Sequence, residues 1–248
     1  MEIDAGQHTT RERMVRKTKP IIVAVDGPAG SGKSSICAKV CELVEWSYLN
    51  TGALYRGVGI IALEKGLDLE NDNLIANMVD EVKSELRWDS AKKSLSYKDS
   101  DLSEQLLTQA AGSAASKVAK LHQVRERLLP VQRDLIMSSP LGALVDGRDI
   151  GTVVFPNADL KIFLTASIEE RTKRRLAQLV AAGTAEDNSE TFERIKLEIS
   201  RRDTQDIERG EAPLRKADDA IELDTSHMNL EEVINTIVGM LKDRKLVR

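Results

Sequence analysis

A doubly wound α/β fold with a parallel sheet is predicted by three observations: short β-branched apolar runs, helical patterns alternating with them, and a glycine-rich loop between the first run and the first helix. The run at residues 20–25 (PIIVAV) is continuously apolar, as a strand buried on both faces must be, so it is placed at the centre of the sheet. After the loop, Ile36, Val40, Leu43 and Val44 fall on one helical face. Leu144 and Val145 ahead of Asp146, residues 160–164 and residues 220–223 supply further buried strands. Ser167 with Glu170, and Asn229 with Glu232, have capping-box spacing and set two helix starts; a further helix is predicted over residues 189–207. Pro130 lies within the helical pattern 124–137, where its missing donor is expected to kink or divide the helix. Between about residues 71 and 117 the pattern changes to two short polar strands, 85–89 and 94–99, flanked by helices, and this stretch reads as an insertion.

Composition narrows the function classes. With 41% apolar residues the chain can bury a sizeable core in one or two domains. It has no run of about 18 apolar residues and no apolar N-terminal stretch with a small-residue cleavage site, so a cytoplasmic protein without a membrane partner is expected. Cys37 and Cys41 sit one helical turn apart, a spacing poorly arranged for a mutual disulfide, and are read as structural thiols. A metal held by them would need further ligands, and with only His8, His122 and His227 available, no metal site of protein side chains alone is expected. The net charge of −4 disfavours a nucleic-acid partner. The basic stretch 11–19 is the one candidate tail for RNA or an anionic membrane; lacking an apolar face, it reads instead as a solvated, disordered leader. Residues 1–19 are thereby set apart from a single domain over 20–248.

The chemistry-bearing segment is Gly27-Pro28-Ala29-Gly30-Ser31-Gly32-Lys33-Ser34, followed by Ser35, which fits G-x-x-x-x-G-K-[ST] without a mismatch. Glycines at 27, 30 and 32 let backbone N–H groups converge on anionic oxygens, and the following helix N-terminus adds its dipole. Lys33 would reach the β and γ phosphates of ATP, and Ser34 would ligate Mg2+ beside them. The loop leaves the acceptor open. An N-K-x-D guanine-reading motif is absent, which disfavours a GTPase, while the arginines beyond the loop suit an anionic acceptor.

Four stretches together, GPAGSGKSS (27–35), TGALYR (51–56), DGRDIGTVVFP (146–156) and RDTQDIER (202–209), resemble bacterial cytidylate kinase, the third being the most specific. The resemblance runs from about residue 20 to the C-terminal helix. It implies a P-loop nucleoside monophosphate kinase fold with a five-stranded parallel sheet: a core over about 20–50, 118–176 and 210–248, an acceptor-binding region with its insert over about 51–117, and a lid over about 177–209. It also implies ATP-dependent phosphorylation of CMP and dCMP with Mg2+, by a monomer.

Carried over residue by residue, the resemblance gives Arg56, Arg148 and Arg209 to the acceptor phosphate, and guanidinium forks suit bidentate contacts there. Asp149 and Arg125 are matched to the cytosine edge, assisted by Ser116. Arg202 and Asp206 are matched to positions near the ribose and the transferring phosphoryl group; an ordinary i,i+4 helix pair is their alternative reading. Thr51 stands where the family more often has serine, and Tyr55 is expected to pack nearby. Lys33, Arg148 and Arg202 form the expected catalytic set, with Arg171, Arg174 and Arg175 behind Arg202 as either phosphoryl contacts or solvated helix charges. The loop at residues 183–190 is expected to close and exclude water. A kinase for UMP or dCMP, or a nucleotide-binding switch without an acceptor, are the competing readings.

Overall fold

The computed structural model describes residues 19–247, so residues 1–18 of the leader lie outside the described part. Strand β1 (Ile21–Asp26) is central, as its apolar run requires. It is flanked in parallel by β6 (Gly142–Gly147) and β7 (Leu160–Thr165). The edges are β2 (Ser47–Asn50) beside β6 and β8 (Ile221–Asp224) beside β7, also parallel, which completes the five-stranded sheet. Side chains alternate across the sheet: Ile22 and Ala24 enter the core on one face, Val23 and Val25 the core on the other.

On the second face lie α1 (Lys33–Val44) and α9 (Leu230–Asp243), which contribute Ile36, Val40, Ile237 and Leu241 to the core. Leu43 departs from the expected buried face of α1 and is 64% exposed, whereas Val44 beside it packs against the core. The first face is covered by α2 (Thr51–Glu64), α3 (Asp72–Val82), α5 (Gln109–Val118) and α6 (His122–Met137). Helix α6 is not divided at Pro130, which lies on its solvent side with Glu126, whose carbonyl loses its partner but can meet water.

The insertion contains β3 (Leu86–Asp89), β4 (Ser94–Tyr97) and β5 (Ser100–Asp101), an antiparallel sheet of three short strands, followed by the short α4 (Ser103–Leu106). Helices α7 (Ile168–Ala181) and α8 (Ser189–Glu208) pack on each other around a small core of their own, Leu176, Ile195 and Ile199. The capping box at Asn229 is complete. At Ser167 only half forms: its hydroxyl accepts from the Glu170 N–H, while the Glu170 carboxylate pairs with Arg174 and Lys173. Among the described residues no helix is long and apolar enough to cross a membrane.

Candidate active site

The sheet delivers β1 directly into the glycine-rich loop. A Cβ on Gly27 would lie 2.0 Å from the Leu164 carbonyl oxygen of β7, so only glycine lets the loop pass there. Gly32 adopts left-handed φ 87° as the N-cap of α1 and leaves the first-turn N–H groups without a side-chain acceptor, the condition for anion binding at a helix start. The loop is closed by its own members: Lys33 Nζ donates to the carbonyls of Gly27 (2.8 Å) and Pro28 (2.7 Å) and to Ser31 Oγ (3.1 Å). Burial, then the charge of Arg148, push Lys33 down to about 7, with Asp146 and Asp26 opposing. Ser34 Oγ donates to Asp146 Oδ2 at 2.8 Å and accepts from Asn50 Nδ2 at 3.3 Å.

Asp146, at the end of β6, was not predicted as a site residue. Its Oδ1 is buried without a hydrogen-bond partner, and burial raises its pKa against Lys33 and Ser34. An orphaned carboxylate oxygen beside a serine hydroxyl is a hard oxygen donor set, suited to Mg2+. Among the described residues no group of three or more His, Cys, Asp or Glu stands together as a metal site, so bound nucleotide oxygens would have to complete such a shell. The sequence signal was available: a carboxylate ending the strand beside the loop strand.

Four arginines converge from separate elements on the far side of the loop. Arg56 from α2 makes no hydrogen bond or ion pair within the described residues, and burial, then Arg202, Arg148 and Arg175, depress it to about 10. Arg202 from α8 is lowered by burial and then by Arg148, and its Nε is buried without a partner. Arg148 Nε donates to Asp206 Oδ2 at 2.7 Å; burial works against its charge, but Asp206 together with Asp146 and Asp203 raises it on balance. Asp206 therefore pairs with Arg148, just past β6, and not with Arg202 one turn away on its own helix. Arg209, the C-cap of α8, donates through Nε to the Ala212 carbonyl at 2.8 Å and lies 3.6 Å from Asp149 Oδ1.

Asp149 is buried between Arg209 and Arg125, whose Nη2 donates to Asp149 Oδ2. The Arg125 guanidinium also stands 5.6 Å from the Tyr55 ring centroid, which gives that buried tyrosine its role as a floor for the pair. Thr51 Oγ1 donates to the Asp146 carbonyl (2.9 Å). Ser116 Oγ donates within its own helix to the Gly112 carbonyl (3.2 Å).

Two further carboxylates were missed. Asp26 accepts from the N–H groups of Ile150 (2.8 Å) and Gly151 (2.7 Å), fixing the π-helical turn Ile150–Val154 that follows Asp149. Burial raises Asp26 to about 6 against those two bonds. Asp203 of α8 accepts from the Ala29 N–H (3.0 Å) and from Arg171, whose Nη1 also donates to the Ala29 carbonyl (2.9 Å). Arg171 is thus a clamp between the helix pair and the loop. Arg174 donates to Thr225 Oγ1 (2.9 Å) and the Thr225 carbonyl (2.7 Å). No sequence signal distinguished Asp203 from the many acidic residues of α8.

A P-loop strand–loop–helix unit facing a basic pocket with a buried carboxylate defines a phosphotransferase class with an anionic acceptor. A family profile described as cytidylate kinase matches residues 23–243. A cytidylate kinase of Anoxybacillus flavithermus is 39% identical over 91% of this chain and 98% of its own length. One from Geobacillus sp. (strain WCH70) is 38% identical over 90% and 97%. Among solved structures, a shikimate kinase from Acinetobacter baumannii in complex with shikimate overlaps at TM-score 0.40 with 13% identity, covering 93% of this chain and 97% of that one. The chain belongs to the cytidylate kinase family and is accordingly a nucleoside monophosphate kinase.

Proposed function

We propose that this kinase transfers the γ-phosphoryl group of ATP to CMP and dCMP, giving ADP with CDP or dCDP, and that the roles fall on the residues above. The observation carrying the acceptor half is the convergence of Arg56, Arg148 and Arg202, with Arg209 beside Asp149, an excess of buried positive charge that an acceptor phosphate would neutralise. An acceptor phosphate oxygen attacks the γ-phosphorus as the bond to the β,γ-bridging oxygen breaks, and the electron pair leaves on ADP. That nucleophile is already anionic near neutral pH, so positioning and charge neutralisation suffice without a strong general base. Lys33 and the loop N–H groups hold the donor phosphates, and Arg202, with its unpaired Nε, is the arginine aimed at the migrating group. Ser34 and Asp146 would hold Mg2+, which supplies charge neutralisation across the β and γ phosphates.

Cytosine presents an amine at its 4-position and acceptors at N3 and O2. Asp149 faces the amine and Arg125 the acceptors; uracil would set a carbonyl against the carboxylate, an unpaired buried contact costing about 1–3 kcal/mol. We place the enzyme in the cytoplasm as a monomer acting on soluble nucleotides, since one chain supplies every residue of the site. The test is ADP release with CMP, dCMP, UMP, AMP and dTMP in turn, with Lys33→Ala as control. CMP and dCMP are expected to lead; equal rates across the panel would remove the cytosine assignment.

A further inference from the structure

The hydroxyl of Tyr48 and Oδ1 of Asp146 are both buried and both without a hydrogen-bond partner among the described residues. The register of β2 on β6 sets Tyr48 opposite Leu144 and Asn50 opposite Asp146, and Tyr48 and Leu144 enter the same core, so Tyr48 and Asp146 are diagonal neighbours on one face of the sheet, where Asp146 also holds the Ser34 hydroxyl. A phenol is a donor and a carboxylate an acceptor, so the two satisfy each other with a small adjustment or through one water.

What holds Tyr48 is unusual for an edge strand. β2 is the sheet edge, and the N–H of Tyr48 donates not to a strand but to Ser90 Oγ (2.6 Å), while its carbonyl accepts from Trp88 Nε1. The Tyr48 and Trp88 rings stand edge to face at 5.9 Å. Trp88 lies near the end of β3 in the insert hairpin and Ser90 begins its turn. Lys93 of the same turn forms an ion pair with Glu42 of α1, the helix that carries Ser34. The hairpin therefore grips both elements that flank the Ser34–Asp146 pair.

We infer that Tyr48 is a positioning residue of the donor site: its hydroxyl holds Asp146 and Ser34 in the orientation that receives Mg2+·ATP, and the insert hairpin, through Trp88 and Ser90, holds Tyr48. The insert thereby serves the donor half of the site. This rests on the reading of Ser34 and Asp146 as metal-holding residues, and the experiment separates the two.

ATP affinity is measured by titration calorimetry with Mg2+ and with EDTA for the wild type, Tyr48→Phe, Trp88→Phe and Asp146→Asn, each first checked for its melting temperature. Tyr48→Phe is expected to lose about tenfold of the Mg2+-dependent gain in affinity. Its EDTA affinity and its KM for CMP are expected to stay at the wild-type values. Trp88→Phe keeps the ring contact and loses only the N–H, so a smaller loss of the same kind supports the proposal. Adding it to Tyr48→Phe is expected to change nothing further. A full Mg2+-dependent gain in Tyr48→Phe alongside its loss in Asp146→Asn overturns the positioning role alone. A full gain in Asp146→Asn overturns the metal reading and the inference with it.

Discussion

The donor loop draws its residues from eight consecutive positions that satisfy one another, with Lys33 closing onto the carbonyls of Gly27 and Pro28. The proposed acceptor pocket draws Arg56, Arg125, Arg148, Asp149, Arg202 and Arg209 from α2, α6, the residues just after β6, α8 and its cap, and among the described residues leaves Arg202 Nε without a hydrogen-bond partner. A pre-formed loop needs little reorganisation to receive phosphates. A pocket of mutually repelling arginines instead stores an electrostatic cost that only an anion relieves, so it discriminates against an empty or misfilled site. The two halves meet at Asp203, which takes the Ala29 N–H of the loop from the helix that carries Arg202.

Mutations that break this contrast rank as follows. Lys33→Ala should have the largest effect, lowering kcat by about 10²- to 10³-fold or more while leaving the preference for CMP over UMP unchanged. Steady-state turnover with both acceptors checks it. The same lysine offers a pH test: held down to about 7 in the free protein, it should be raised when ATP arrives. Calorimetry above pH 7 in buffers of different ionisation enthalpy should then show proton uptake on binding, fading as the pH is lowered.

Arg148→Ala comes next. It leaves Asp206 without its ion-pair partner and removes a phosphate clamp, and kcat/KM for CMP should fall about 10²-fold with the KM for ATP little moved. A larger change in ATP binding than in CMP use would place Arg148 in the donor half. Asp149→Ala should mainly narrow the ratio of CMP to UMP use, by about 10- to 100-fold. Loss of ATP affinity with the base preference intact would contradict its assignment.

His122→Gln should have the smallest effect. His122 lies 3.2 Å from Glu211 and 3.4 Å from Glu126, and its pKa is raised by Glu211 first. A histidine raised on folding stabilises below its unfolded value of 6.5 and loses that contribution as pH rises through the folded value. The variant should therefore melt slightly below wild type in mildly acidic buffer and together with it in alkaline buffer, as thermal scans across pH would show.

The sequence by itself determined the parts whose physics is local. Short apolar runs marked β1, β6 and β7, the glycine pattern marked the loop, and Asn229 with Glu232 marked a helix start, because each signal lies within a few consecutive residues; the run at 220–223 marked β8 too, but that strand is not buried as expected, since it lies at the sheet edge with half-buried and exposed residues alternating. It also named the arginines, though only through a resemblance, since nothing in a lone arginine distinguishes a clamp from a surface charge. Tertiary structure alone decided the pairings across long sequence separations: Asp206 with Arg148 and not Arg202, Asp203 with Ala29, Asp26 with the turn after Asp149. It likewise left Leu43 outside while Val44 beside it packs on the core, because a periodic pattern does not say which residues at the margin of a helical face meet a neighbour. The loop was legible because its partners are its neighbours; the acceptor pocket and the hairpin's hold on Tyr48 were not, because their partners meet only once the sheet has formed.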